Sequence, residues 1–262
     1  MSANPLHQFQ VHAVYPLDIA GFNLAITNQT IWTGIAVATI ILLLVGGLRK
    51  PTLIPGRWQA FVEMTYEFIE DLVVGTSGKQ ALPFLPLIMA TFLMISAMNL
   101  VGMVPGSFTV TSQITTTAFM GVAVFLMVLG VGIYKQGLHF FAHFLPAGTP
   151  AYLAPLIVPL EVISFLARPL TLAVRLAANM VAGHVLLKIF ATFVILLMGM
   201  GVFAASAVAP LILLIALTGL EVFVALLQAY IFTVLTCVYL NDALGHGHEH
   251  TEDDHEGITP AL

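Results

Sequence analysis

Residues 163–189 read ISFLARPLTLAVRLAANMVAGHVLLKI, and the medium this stretch sits in decides the fold. It is apolar enough to lie in a bilayer, yet it holds Arg168, Arg175, His184 and Lys188. A cation at the centre of a membrane helix costs about 2.5–3.5 kcal/mol on insertion scales. A segment that keeps two arginines against that cost faces water or another protein, not lipid alone. The rest of the chain fixes the medium. Mean hydropathy is +1.00, 59% of the 262 residues are hydrophobic and 8% are charged, against about 25% charged in soluble domains. Long unbroken apolar runs are not strands of alternating polarity, so the spans are helices and the protein is an all-α integral membrane protein.

Outward from that stretch, residues 154–198 and 202–241 form two very long apolar segments either side of Gly199-Met200-Gly201, an expected antiparallel hairpin. A helix of ~40 residues measures roughly 60 Å, twice the ~30 Å hydrocarbon thickness. The hairpin must bend, at Pro155, Pro159, Pro169 or Pro210, or lie strongly inclined. Three further spans are expected at 31–48, 82–104 and 115–134, giving five crossings in a single membrane domain, 1–244. Between the first two, residues 56–74 place Trp58, Phe61, Val62, Thr65, Phe68, Ile69 and Leu72 at helical spacing. Arg57, Gln59, Glu63, Glu67, Glu70 and Asp71 take the opposite face, so this is an amphipathic surface helix. Its polar face is acidic, which favours docking to protein over anchoring to anionic lipid.

Arg49, Lys50, Arg57, Lys79 and Lys135 are the only basic residues outside the apolar runs, and five crossings place all of them on one side. The bias puts the N-terminus outside and the C-terminus in the cytoplasm. Residues 1–30 carry no Lys or Arg, so an external segment without a cleavable signal peptide is expected. No basic patch exists for nucleic acid, and a lone Cys237 supports no disulfide framework. His139 and His143 read as interfacial loop residues. The tail, 245–262, mixes four histidines with five acids; a solvated, disordered segment is the simpler reading, loose metal binding the other.

On a helical wheel with Arg175 at zero, Asn179, Arg168, Thr171, Ser164 and Glu161 fall within an arc of about 80°. His184 and Lys188 face elsewhere. Arg168 is placed to neutralise Glu161, whereas Arg175 has no acid within a turn on its own face. Counting from the expected turn, His184 and Glu221 lie at similar depths. A Glu–His pair within the membrane can transfer protons, because both groups titrate once burial acts on them; a structural buried pair is the alternative. Gln228 lies near Glu221 on the wheel of the last helix, and Lys188 reads as a side chain snorkelling to the interface.

RPLTLAVRLAANMVAGH (168–184), followed by GLEVFVALLQAYIFTVLTCVYLNDA (219–243), resembles the subunit a family of F-type ATP synthases. PGRWQAFVEMTYEFIEDLV (55–73) and MNLVGMVPG (98–106) support the likeness, which covers nearly all the chain before the tail. The resemblance implies a proton-translocating stator subunit with two aqueous half-channels beside a ring of c subunits, the inclined hairpin following the ring's curvature. It places the family's essential arginine at Arg175, opposite the ring carboxylate. Asn179 and Gln228 are implied as its polar partners, and His184 with Glu221 as the outer proton path. Glu161, Ser164, Arg168 and Thr171 are implied toward the cytoplasmic exit. The implied partners are the c-ring, b-type peripheral-stalk subunits, the other ATP synthase subunits and membrane lipid. No cofactor is implied beyond the translocated proton, and the absence of GxxxxGK[ST] agrees with a non-catalytic subunit. A sodium-driven member of the family and a secondary transporter with a midplane site are the alternatives, although no internal repeat of the transporter kind is present.

Overall fold

Several helix boundaries have a local cause. In the computed structural model, residues 9–15, 18–19, 22–23, 25–49, 52–104, 106–137, 154–199 and 206–244 are described. Helix α1 (Asn28–Leu48) opens on Thr27, whose hydroxyl caps the N–H of Thr30. Helix α2 (Arg57–Ser77) stops at Gly78, whose φ of +73° suits a residue without Cβ. A 3-10 segment (Lys79–Phe84) containing Pro83 leads into α3 (Leu85–Gly102), which has Pro86 in its first turn. The second span thus begins in 3-10 form, where prolines remove N–H groups that regular helix would need. Helix α4 (Ile114–Gln136) ends at Gly137, again at positive φ.

Helices α5 (Ala154–Gly199) and α6 (Val208–Leu244) are the long hairpin, 46 and 37 residues. Neither is broken at its prolines. Pro155 and Pro210 fall in first turns, where a missing N–H costs nothing, and α5 continues through Pro159 and Pro169. At about 1.5 Å per residue α5 is far longer than the bilayer is thick, so it crosses inclined. Five helices, α1, α3, α4, α5 and α6, are long and apolar enough to span. The 138–153 loop with His139 and His143, the link after Gly199 and the tail lie outside the described residues.

The core lies where α2 and α3 meet the second half of α6. Ile69, Val73, Ile88, Cys237 and Leu240 pack together fully buried, and Ser77 donates to the Cys237 carbonyl at 2.7 Å. Gly47 lets α1 cross α2 closely, since a Cβ there would meet Val62 at 2.7 Å. Helix α2 does not span, as expected of the amphipathic segment, and it divides its apolar stripe. Val62, Ile69 and Val73 face protein, while Trp58, Phe61 and Phe68 stay exposed. Its apolar arc is wide enough to serve α1 and α6 on one edge and leave the other for hydrocarbon. Gln59, assigned to the polar face, is instead buried, donating to Thr52 O at 3.1 Å and Glu63 Oε1 at 2.7 Å.

Two small antiparallel ladders precede α1: β1 (Ala13–Tyr15) with β4 (Ile26–Thr27), and β2 (Asp18–Ile19) with β3 (Phe22–Asn23). Segments of two or three residues carry no periodic signal, so the sequence did not announce them. Gln29 donates to Thr116 at 2.6 Å, tying the starts of α1 and α4 together. Gln136 donates to the Ala243 carbonyl at 2.8 Å, tying their opposite side to the end of α6.

Candidate functional site

The hairpin brings the polar residues of α5 and α6 together at three levels. Nearest the turn, His184 Nδ1 lies 3.7 Å from Glu221 Oε1. Glu221 is only 5% exposed, and neither of its carboxylate oxygens has a hydrogen-bond partner among the described residues. The close approach depends on Gly183, where a Cβ would stand 2.6 Å from Glu221 Oε1. His184 Nε2 contacts Thr109 Oγ1 at 2.9 Å, and the Phe9 ring sits edge-on at 6.4 Å.

At the middle level Asn179 Nδ2 donates to Gln228 Oε1 at 3.2 Å, a direct brace across the hairpin. Gln228 is buried and its Nε2 has no partner among the described residues. Arg175 is exposed, as are Thr171, Val174, Ala178 and Ala182 on the same strip of α5. Among the described residues Arg175 makes no ion pair and no hydrogen bond through its side chain. Around it the outer face of the hairpin is apolar: Leu170, Leu220, Phe223 and Leu227 are all exposed.

At the third level Arg168 is engaged from several sides. It lies 3.9 Å from Glu161 and 3.6 Å from Asp242, and its guanidinium is 5.2 Å from the Tyr239 ring centroid and 5.9 Å from that of Phe165. The structure therefore separates two arginines that the wheel put on one stripe. Ser164 and Thr171 remain exposed, and Thr171 donates to the Arg168 carbonyl at 2.9 Å. Lys188, one turn beyond His184, is half-buried and stands in no ion pair among the described residues.

Two contributors were not singled out from the sequence. Asn99 on α3 is fully buried and donates to the Ala225 carbonyl, one turn from Glu221, at 2.9 Å. Thr109 is buried at the 3-10 turn Val110–Ser112 that follows α3. Ser96 Oγ, Asn99 Oδ1 and Thr111 Oγ1 join Glu221 and Gln228 as buried polar atoms without a partner among the described residues. Such atoms are costly in a dry core and ordinary along a hydrated path. Asn99 lay within a quoted motif, but a neutral polar residue in an apolar span gives no hint of its partner.

Known proteins resemble this chain over nearly its whole length. Residues 30–241 match the family described as ATP synthase A chain. The chain is 46% identical to ATP synthase subunit a of Nitrobacter winogradskyi over 94% of this chain and 99% of that one. It is 45% identical to the protein of the same description from Rhodopseudomonas palustris, over 95% and 100%. The likeness to the one from Rhizobium leguminosarum is 46%, over 94% and 99%.

Proposed function

Because this chain belongs to the ATP synthase A chain family, we propose that Arg175 is the cation presented to the c-ring carboxylate and that His184 and Glu221 carry protons to the ring from outside. The chain is a non-catalytic, proton-translocating subunit of a rotary ATP synthase, multi-pass in a bacterial membrane. One observation carries the residue assignment: Arg175 is exposed within a spanning helix without a counter-ion among the described residues.

An arginine in that position keeps its charge, because guanidinium does not deprotonate in proteins. Opposite charges about 4 Å apart attract by about 4 kcal/mol at an effective dielectric constant near 20. A ring carboxylate arriving opposite Arg175 is therefore held ionised and gives up its proton. As it leaves that field it takes up another. The same fixed charge opposes a proton passing straight from one half-channel to the other. The Asn179–Gln228 bond fixes the platform from which Arg175 projects.

The buried orphan polar atoms of Ser96, Asn99, Thr111 and Glu221 support the reading of a water-fed route to the His184–Glu221 pair. Glu161, Ser164, Arg168 and Thr171 lie toward the opposite end of α5 and line the cytoplasmic exit. The basic residues put the N-terminus outside and the C-terminus in the cytoplasm. The c-ring faces the open side of the hairpin, and b-type peripheral-stalk subunits complete the stator. Arg175→Ala should abolish ATP-driven proton pumping and ATP synthesis while the complex still assembles. Normal coupled pumping in that variant would refute the assignment.

A further inference from the structure

We propose that Thr109 is a positioning residue for His184: its hydroxyl holds the ring's Nε2–H, leaving Nδ1 as the atom that exchanges a proton with Glu221. The inference rests on the reading of His184 and Glu221 as the outer proton path. Thr109 Oγ1 has two contacts, His184 Nε2 at 2.9 Å and the Gly102 carbonyl at 3.1 Å, to which it donates. A hydroxyl has one proton to give. With that proton on Gly102 O, Oγ1 faces the ring as an acceptor, and Nε2 carries hydrogen.

The arrangement serves both protonation states. Imidazolium has N–H at both nitrogens, so a ring that carries a proton through this site requires an acceptor at Nε2. Thr109 supplies one without rotating. In the transfer the Nδ1–H bond breaks and an O–H bond forms on Glu221. Imidazolium and carboxylate become a neutral ring and a carboxylic acid, and Nε2–H is unchanged. Were Thr109 to donate to Nε2 instead, the neutral ring would hold its proton on Nδ1. The hydroxyl would then have to turn at every transfer.

Thr109 is held where the task needs it. Gly102 ends α3, and a Cβ there would lie 2.9 Å from Thr109 Cγ2 and 3.1 Å from its Cα, so only glycine allows the contact. The Gly102 carbonyl also accepts from Ser107 Oγ at 2.8 Å, which anchors the turn from the other side. Thr109 is 4% exposed. Among the described residues, Glu221 on α6 stands 3.7 Å from the ring, and Lys188 is the ionisable residue one turn along α5.

The test measures ATP-driven proton pumping by the assembled complex in inverted membrane vesicles, normalised to subunit content. Thr109→Val, which keeps the shape and removes the hydroxyl, should slow pumping about tenfold, the worth of one buried hydrogen bond; Thr109→Ser should pump as wild type. If valine disturbs assembly, Thr109→Ala carries the same comparison. In the 15N NMR spectrum of the histidine-labelled complex, the His184 signal, identified by its loss in His184→Ala, should be that of the Nε2–H form when neutral. Wild-type pumping by Thr109→Val, or a neutral ring protonated at Nδ1, overturns the proposal. His184→Ala pumping at the wild-type rate would overturn the proton-path reading as well, whereas a slow His184→Ala beside a normal Thr109→Val removes Thr109 alone.

Discussion

Gly183→Ala probes the His184–Glu221 pair with one methyl group. The added Cβ would stand 2.6 Å from Glu221 Oε1, 3.0 Å from Cδ and 3.3 Å from Cγ, where ordinary contact begins at 3.4 Å. The carboxylate end must therefore retreat by about 0.8 Å. Retreat from Gly183 moves the carboxylate away from this stretch of α5, and the pair opens from 3.7 Å to at most about 4.5 Å. Misplacement of reacting groups by about 1 Å can cost 10²-fold in rate. The fold should tolerate the change. Alanine favours helix over glycine by about 1 kcal/mol, which offsets part of the about 1–3 kcal/mol of overpacking, and the atom that must yield most is the far end of a side chain. Pumping in inverted vesicles should fall between tenfold and a hundredfold at unchanged subunit content. Gly130→Ala, where a Cβ meets nothing within 4 Å, is the control and should pump normally. Wild-type pumping by Gly183→Ala would refute the view that the short approach of Glu221 to His184 matters for transfer.

At Gly102→Ala the methyl meets the Thr109 backbone at 3.1 Å, which cannot swing aside, so the cost falls on stability, about 1–3 kcal/mol; thermal release of the subunit from purified complex should occur at a lower temperature, and an unchanged profile would contradict the packing. Asn179→Leu removes the bond to Gln228 and should slow pumping about tenfold; combined with Gln228→Leu the loss should be less than additive, and full additivity would show that the two act separately. Arg168 is 35% exposed by side chain, and ion pairs of that kind contribute about 1 kcal/mol or less; Arg168→Gln should retain coupled pumping that Arg175→Ala loses, and equal losses would show the Arg168 charge to be as necessary as that of Arg175.

The spans were legible because length and hydropathy are properties of the chain itself. A 37-residue apolar helix cannot stand upright in a bilayer whatever surrounds it. The depth of His184 and Glu221 was legible for a related reason: an antiparallel hairpin converts distance along the chain into height. Arg168 was not. A wheel gives the azimuth of a residue on its own helix, but α5 changes neighbours along its length, and Asp242 and Tyr239 await Arg168 near the end of α6. Thr109 was out of reach for a different reason. It belongs to a 3-10 turn whose placement against α5 follows from the missing Cβ of Gly102, and no periodicity encodes that contact. The same holds for Gln59, whose burial follows from the position of Thr52.

The register of the hairpin also explains why the two arginines differ. Arg168 meets Tyr239, Asn179 meets Gln228 and His184 meets Glu221, so each step along α5 toward the turn is matched by a nearly equal step on α6. At the level of Arg175 this register brings Phe232, which packs fully buried with Leu172 and Leu176. The nearest acids on α6 are then Glu221 and Asp242, each about 15 Å away along the axis, beyond the span of an arginine side chain. Glu221 is turned to His184, and Asp242 already lies against Arg168. The hairpin therefore offers Arg175 no carboxylate at its own height, and no change of rotamer supplies one. On the proposed reading, a cation kept in that position, at the cost a membrane imposes on it, is matched by a carboxylate from outside the hairpin. An exposed apolar face around it is the surface such a carrier needs.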